Sequence, residues 1–146
     1  MSQPLVASTP LRSLTPSTSL QTHRQWLEQA VQLARANHRQ GGRPFAELEA
    51  LRKASQSAPL AGGIVYASGH PCPMCLGALV MNGIAAVYYA FDNADAAPFG
   101  FDSTAAYQTL GLPLAPPPLP LVKLAVTMTA ADLYGHQPQQ AAPDHE

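Results

Sequence analysis

The sequence predicts an α/β domain in which helices cover both faces of a small sheet of about three strands. Three observations carry that expectation: a clear amphipathic helix at the start, short runs of β-formers apolar on both faces, and helix signals alternating with those runs. The 146 residues are 47% hydrophobic and 12% charged, which fits one small domain.

Met1–Gln21 is rich in Ser, Thr and Pro without apolar periodicity and reads as a disordered tail, residues 1–21. The domain is expected over residues 22–135. His23–Gln40 sets Trp26, Leu27, Ala30, Val31 and Ala34 at helical spacing and meets a glycine stop at Gly41-Gly42. A second helix, Ala46–Gln56, follows Pro44, with Leu48 and Leu51 on one face and Glu49 and Lys53 as an i,i+4 pair. GGIVYASG (Gly62–Gly69) and AAVYYAF (Ala85–Phe91) read as buried strands, and LVKLAVTM (Leu121–Met128) as a third. Between the first two, Pro73 suits a first helical turn and Gly83 a stop, giving a helix over Pro73–Asn82. Short helices are expected at Thr104–Leu110 and Ala130–Tyr134. The run PLAPPPLP (Pro113–Pro120) reads as a stiff connector rather than a polyproline ligand, and residues 136–146 as a polar tail.

Lys and Arg number 8 against 9 acids, with no basic run, so composition gives no support to a nucleic-acid partner and favours a small molecule. No apolar run reaches the ~20 residues of a membrane span. A cytoplasmic protein is expected, because Cys72 and Cys75 stand as a single CxxC and build no disulfide framework. HPCPMC, His70–Cys75, puts both thiols where a strand ends and a helix begins. Backbone N–H groups and the helix dipole there favour the thiolate that binds metal or attacks disulfides. Metal binding, redox chemistry and ordinary core cysteines all remain open from the CxxC alone.

The longer stretch YASGHPCPMCLGALVMNGIAAVYYAFDNADAAPFGFDS resembles the cytidine and deoxycytidylate deaminase superfamily, in its guanine deaminase and tRNA adenosine deaminase branch. That resemblance implies a cytidine deaminase-like three-layer α/β/α fold and zinc-dependent hydrolytic deamination of a nucleobase or nucleoside. It assigns Cys72 and Cys75 as zinc ligands and Glu47, in FAELEALRKA, as the proton shuttle of an HxE motif. The near-neutral charge favours a free base, guanine above a tRNA. GFDS, Gly100–Ser103, resembles the GFDD of guanine deaminases, so Asp102 is the candidate for purine recognition, with Ser103 where a second acid often stands.

The zinc-ligand His of that motif is replaced by Phe45. GGRPFA passes directly into ELEALRKA, where the resemblance implies an intervening β-hairpin and loop of about 25 residues. His70 is the substitute ligand nearest in sequence, while His23, His38, His136 and His145 read as solvated helix or tail residues. Without the hairpin, Gly62–Ser68 is expected to form an apolar sheet edge, and a homodimer is expected. Three readings follow: a working zinc aminohydrolase, an inactive deaminase-fold protein that binds a ligand or pairs with a homologue, and a shortened gene product.

Overall fold

The computed structural model describes residues 19–39 and 47–135, with residues 47–49 described as backbone. The two tails and the Gly42–Ala46 junction, including Phe45, lie outside the described residues. Six helices and three strands follow in the order α1 (Leu20–Arg39), α2 (Glu47–Ala54), β1 (Ile64–Gly69), α3 (Pro73–Met81), β2 (Ala86–Phe91), α4 (Asn93–Ala96), α5 (Thr104–Thr109), β3 (Leu121–Lys123) and α6 (Ala130–Tyr134) among these residues.

Helix α1 starts earlier than composition suggests, because Ser19 caps it: its hydroxyl oxygen accepts from the Thr22 backbone N–H at 3.3 Å. The helix buries Leu27, Ala30 and Val31, but His23 and His38 also lie on that stripe, at 0% and 4% exposure. The expectation that both histidines are solvated is therefore wrong. Positions 23, 27, 31 and 38 recur at the helical repeat, and the core face takes whatever residue falls on it. His23 is accommodated by partners: its Nδ1 is 2.7 Å from the Tyr66 hydroxyl, and its ring stacks on Tyr88 with centroids 4.0 Å apart. Burial pushes the Tyr66 phenol up to about 12, so it stays a neutral partner.

The sheet has the order β1-β2-β3 and is parallel throughout, with Val65 opposite Val87 and Tyr88 opposite Val122. All six residues of β1 are buried, and alternation sends them to two cores. Ile64 and Tyr66 join Leu27 and Val31 of α1 and Leu133 of α6 on one face. Val65 and Ala67 join Leu51 of α2, Leu76 and Leu79 of α3, and Tyr107 of α5 on the other. This is the helix–sheet–helix layering expected from strands apolar on both faces. Strand β1 ends the sheet, and no described strand pairs with its outer side.

Strand β3 is shorter than the apolar run Leu121–Met128. Leu124 N–H still reaches the Tyr89 carbonyl, at 2.9 Å, but Thr127 N–H and hydroxyl instead bond the Glu28 carboxylate at 2.7 and 2.9 Å. Once that backbone donor goes to α1, the ladder stops. The proline run links α5 to β3 as a connector, exposed except for Leu119. Helix α4 was not expected from sequence; Asp92 and Asp95 close it as a reciprocal capping box at 2.8 and 3.0 Å. No described helix is long and apolar enough to cross a membrane.

Candidate active site

In a parallel sheet, the crevice beyond the carboxyl ends of the strands is where side chains from several loops converge. Here the ends of β1 and β2 open onto a small cleft walled by His70 and Cys72 from the first strand, Asp92 and Asn93 from the second, and Phe101, Ser103 and Tyr134 from later segments.

The His-Pro-Cys turn that follows β1 is held rigidly. His70 N–H donates to the Phe91 carbonyl at 2.9 Å, which extends the β1–β2 pairing by one step. The Pro71 carbonyl then accepts twice, from the Tyr107 hydroxyl at 2.5 Å and from His70 Nδ1 at 3.0 Å. A carbonyl can only accept, so Nδ1 carries the proton and Nε2 is left with its lone pair. Burial lowers the His70 pKa, against the opposing pull of the Pro71 hydrogen bond and the Asp92 charge, and this favours the neutral ring. Tyr107 is 1% exposed, and burial, followed by its nearness to Cys72 and Cys75, pushes it up to about 12. It therefore remains a donor at any ordinary pH.

Cys72 stands at the N-cap of α3 with Pro73 as first helical residue, and its carbonyl accepts the first helical bond from Leu76 N–H at 2.8 Å. Cys72 is half-buried and lines the cleft, whereas Cys75, one turn on, is buried, and neither forms a disulfide. Glu47 is the first residue of α2, which packs on α3, so the structure sets the two chemistry-bearing helices side by side. His70 shares the cleft with Cys72. Among the described residues, however, no three His, Cys, Asp or Glu side chains could hold a metal ion together, so His70 does not complete a ligand set with Cys72 and Cys75.

Asp102 stands beside the cleft wall but turns to other work. It is exposed, and its Oδ1 accepts from Thr104 N–H at 2.8 Å and from the Thr104 hydroxyl at 2.6 Å, fixing the start of α5. Its neighbour Ser103 lines the cleft instead, bonded through N–H and hydroxyl to Asn93 Oδ1 at 3.1 and 3.0 Å. Sequence reasoning passed over Asn93, Tyr107 and Tyr134; the signal available for Asn93 was its place two residues past the end of the apolar strand β2. Tyr134 stacks on Phe101 with centroids 5.2 Å apart and meets Phe91 edge-on at 5.9 Å, forming an aromatic wall.

Lys123 at the end of β3 lies 2.9 Å from Asp92 and 2.7 Å from Asp95. The Lys123 hydrogen bond, then the Asp95 backbone bond, lowers the Asp92 pKa below 3.8; bonds to Asp95 and then Asp92 raise Lys123 above 10.5. The contribution is thus complete between about pH 4 and 10 and is lost as acid protonates Asp92 through its lowered folded value. All three groups are more than a third exposed, so Lys123→Met should cost under ~1 kcal/mol at neutral pH. Thermal unfolding of both proteins should show that difference at pH 7 and its loss as acid protonates Asp92.

A helix-covered parallel sheet with a PCPMC helix start at its open end defines a cytidine deaminase-like protein. The chain belongs to the MafB19-like deaminase family, whose family model matches residues 21–129. It is 38% identical over 85 residues to a guanine deaminase of Bacillus subtilis (strain 168), a match covering 56% of this chain and 54% of that protein. The chain thus spans about half the length of this curated relative. The X-ray structure of a guanine deaminase from Bacillus subtilis superposes with a TM-score of 0.57 at 32% identity, covering 72% of this chain and 87% of that one. A crystal structure of a mutant of NE0047 in complex with 8-azaguanine shares the fold, with a TM-score of 0.50 at 19% identity over 69% of this chain and 77% of that one.

Proposed function

We propose that the chain hydrolytically deaminates a free nucleobase, guanine in preference, in the cleft at the carboxyl ends of β1 and β2. The observation that carries this reading is the placement of the cleft, which joins the Cys72 turn to aromatic side chains at the open end of the sheet in a deaminase fold. Water adds at the amino-bearing carbon, ammonia leaves, and a ring carbonyl remains. Half-buried Phe101, held in place by the Tyr134 ring stacked on it, supplies apolar surface for a planar ring. His70, neutral with Nε2 as acceptor, takes a hydrogen bond from a ligand N–H or from water. By family resemblance, Glu47 moves the proton.

Zinc is the cofactor that the resemblance implies. Two thiols at a helix start are donors it favours, but a catalytic site uses three protein ligands, and no group of three occurs among the described residues. The described residues therefore do not make that site. This observation favours a second reading, in which the cleft binds a base without turning it over. Equilibrium dialysis of guanine together with ammonia measurement separates the two. Binding with release of ammonia, abolished in Glu47→Ala, supports deamination; binding alone supports the second reading; and failure to bind guanine removes both.

The same proposal includes a cytoplasmic setting and a homodimer. In support of the latter, α3 leaves Met74 and Met81 exposed at 64% and 89%. Sedimentation of Met81→Glu as a monomer, against a dimeric parent, is the expected result.

A further inference from the structure

The two thiols at the start of α3 do not make, with any other described residue, the three-ligand zinc site that the resemblance implies, and their placement suits another chemistry. Cys72 occupies the N-cap, Pro73 is the first helical residue and Cys75 the third. An N-cap side chain ordinarily reaches the backbone N–H of that third residue. Cys72 stands in that place without a side-chain capping bond, so closing onto Cys75 breaks no cap. Three residues along a helix put Cα atoms about 5 Å apart. That lies within the ~4.4–6.8 Å that a disulfide spans.

Burial sets the two thiols apart. Cys72 is half-buried and lines the cleft, whereas Cys75 is 4% exposed. A small molecule from solution therefore meets Cys72 first. The main chain around Cys72 is held on both sides. The Pro71 carbonyl accepts from the Tyr107 hydroxyl and from His70 Nδ1, and the Cys72 carbonyl accepts from Leu76 N–H. Pro71 and Pro73 further restrict the backbone that flanks Cys72. With the main chain fixed, side-chain rotation is the movement left to bring the two sulfurs together.

We infer that Cys72 and Cys75 form a redox-active dithiol, with Cys72 as the attacking thiol and Cys75 as the resolving one, whose substrate class is small-molecule disulfides. The Cys72 sulfur attacks one sulfur of the disulfide RSSR. That bond breaks, a mixed disulfide forms on Cys72, and one RSH leaves with the Cys72 proton. Cys75 then attacks the Cys72 sulfur; the mixed bond breaks, the Cys72 to Cys75 bond forms, and a second RSH leaves with the Cys75 proton. The small disulfide gains two electrons and the protein loses two. Attack by two small thiols in the reverse order restores the dithiol. None of these steps requires a bound base.

Excess oxidised glutathione, applied to the full chain with a chelator present so that metal does not mask the thiols, is the probe. Products are read by mass spectrometry after alkylation. The internal Cys72 to Cys75 disulfide should be the main oxidised species of the parent, with two reduced glutathiones released per chain. Cys75→Ser should stop at glutathione on Cys72. Cys72→Ser should react at least ~10-fold more slowly, because its remaining thiol is buried. The parent's product decides by itself, whether or not the serine variants fold. A parent that stays reduced, stops at the mixed disulfide or links to a second chain overturns the inference, as does equal reactivity of two folded serine variants.

Discussion

Tyr134→Ala should lose ~3–5 kcal/mol of stability and, with it, the cleft's capacity to hold a base. The side chain is 1% exposed and stands where three rings meet: Phe101 stacked at 5.2 Å, Phe99 at 6.0 Å and Phe91 edge-on at 5.9 Å. Its hydroxyl also lies close to the backbone of Gly69, where an added Cβ would come within 3.1 Å. Removing the ring empties a volume that the surrounding backbone of β1 and β2, fixed by the sheet, cannot close. A loss of that size is a large part of the ~5–15 kcal/mol that holds a domain folded. Urea unfolding gives the number directly. Tyr134→Phe keeps the stacking, so it should recover most of the stability; an alanine variant as stable as the parent would refute the packing account.

Zinc affinity gives the second large expected effect. Dividing the ~10–16 kcal/mol of a four-ligand structural site evenly puts each ligand near ~3 kcal/mol, roughly a hundredfold in affinity. With Cys72 and Cys75 but no third described donor, the chain should bind zinc at least about a hundredfold more weakly than a three-ligand site and surrender it to a mild chelator. Cys72→Ser should weaken it by about another hundredfold. Competition against a chromophoric chelator measures both. Zinc retained through prolonged dialysis would mean that a further ligand completes the site.

The layers of this fold were readable because they follow local rules. Ile64–Gly69 and Ala86–Phe91 are apolar without alternation, as strands covered on both faces must be, and Pro73 and Gly83 bracket α3. The Cys72 turn was readable for the same reason, since motif and secondary structure coincide there. Other features depend on partners distant in sequence. Strand β3 ends early because Glu28, far upstream, captures Thr127. His23 is buried because Tyr66 and Tyr88 meet it in the core, which its polar identity alone did not suggest. The pairing of Asn93 with Ser103 crosses a turn of ten residues, so no window of helical or strand period reveals it. Asp102 bears the residue type expected of a purine reader, yet its carboxylate closes the short loop to Thr104, a local competition that aspartate commonly enters.

Ammonia release from guanine, followed with zinc supplied and compared between the parent and a Cys72→Ser, Cys75→Ser double variant, tests the central claim most directly. Ammonia and xanthine formed in equal amounts by the parent, and not by the double variant, is the result expected. Guanine bound in the cleft with no ammonia above the double variant would contradict deamination and leave a base-binding protein of the deaminase fold.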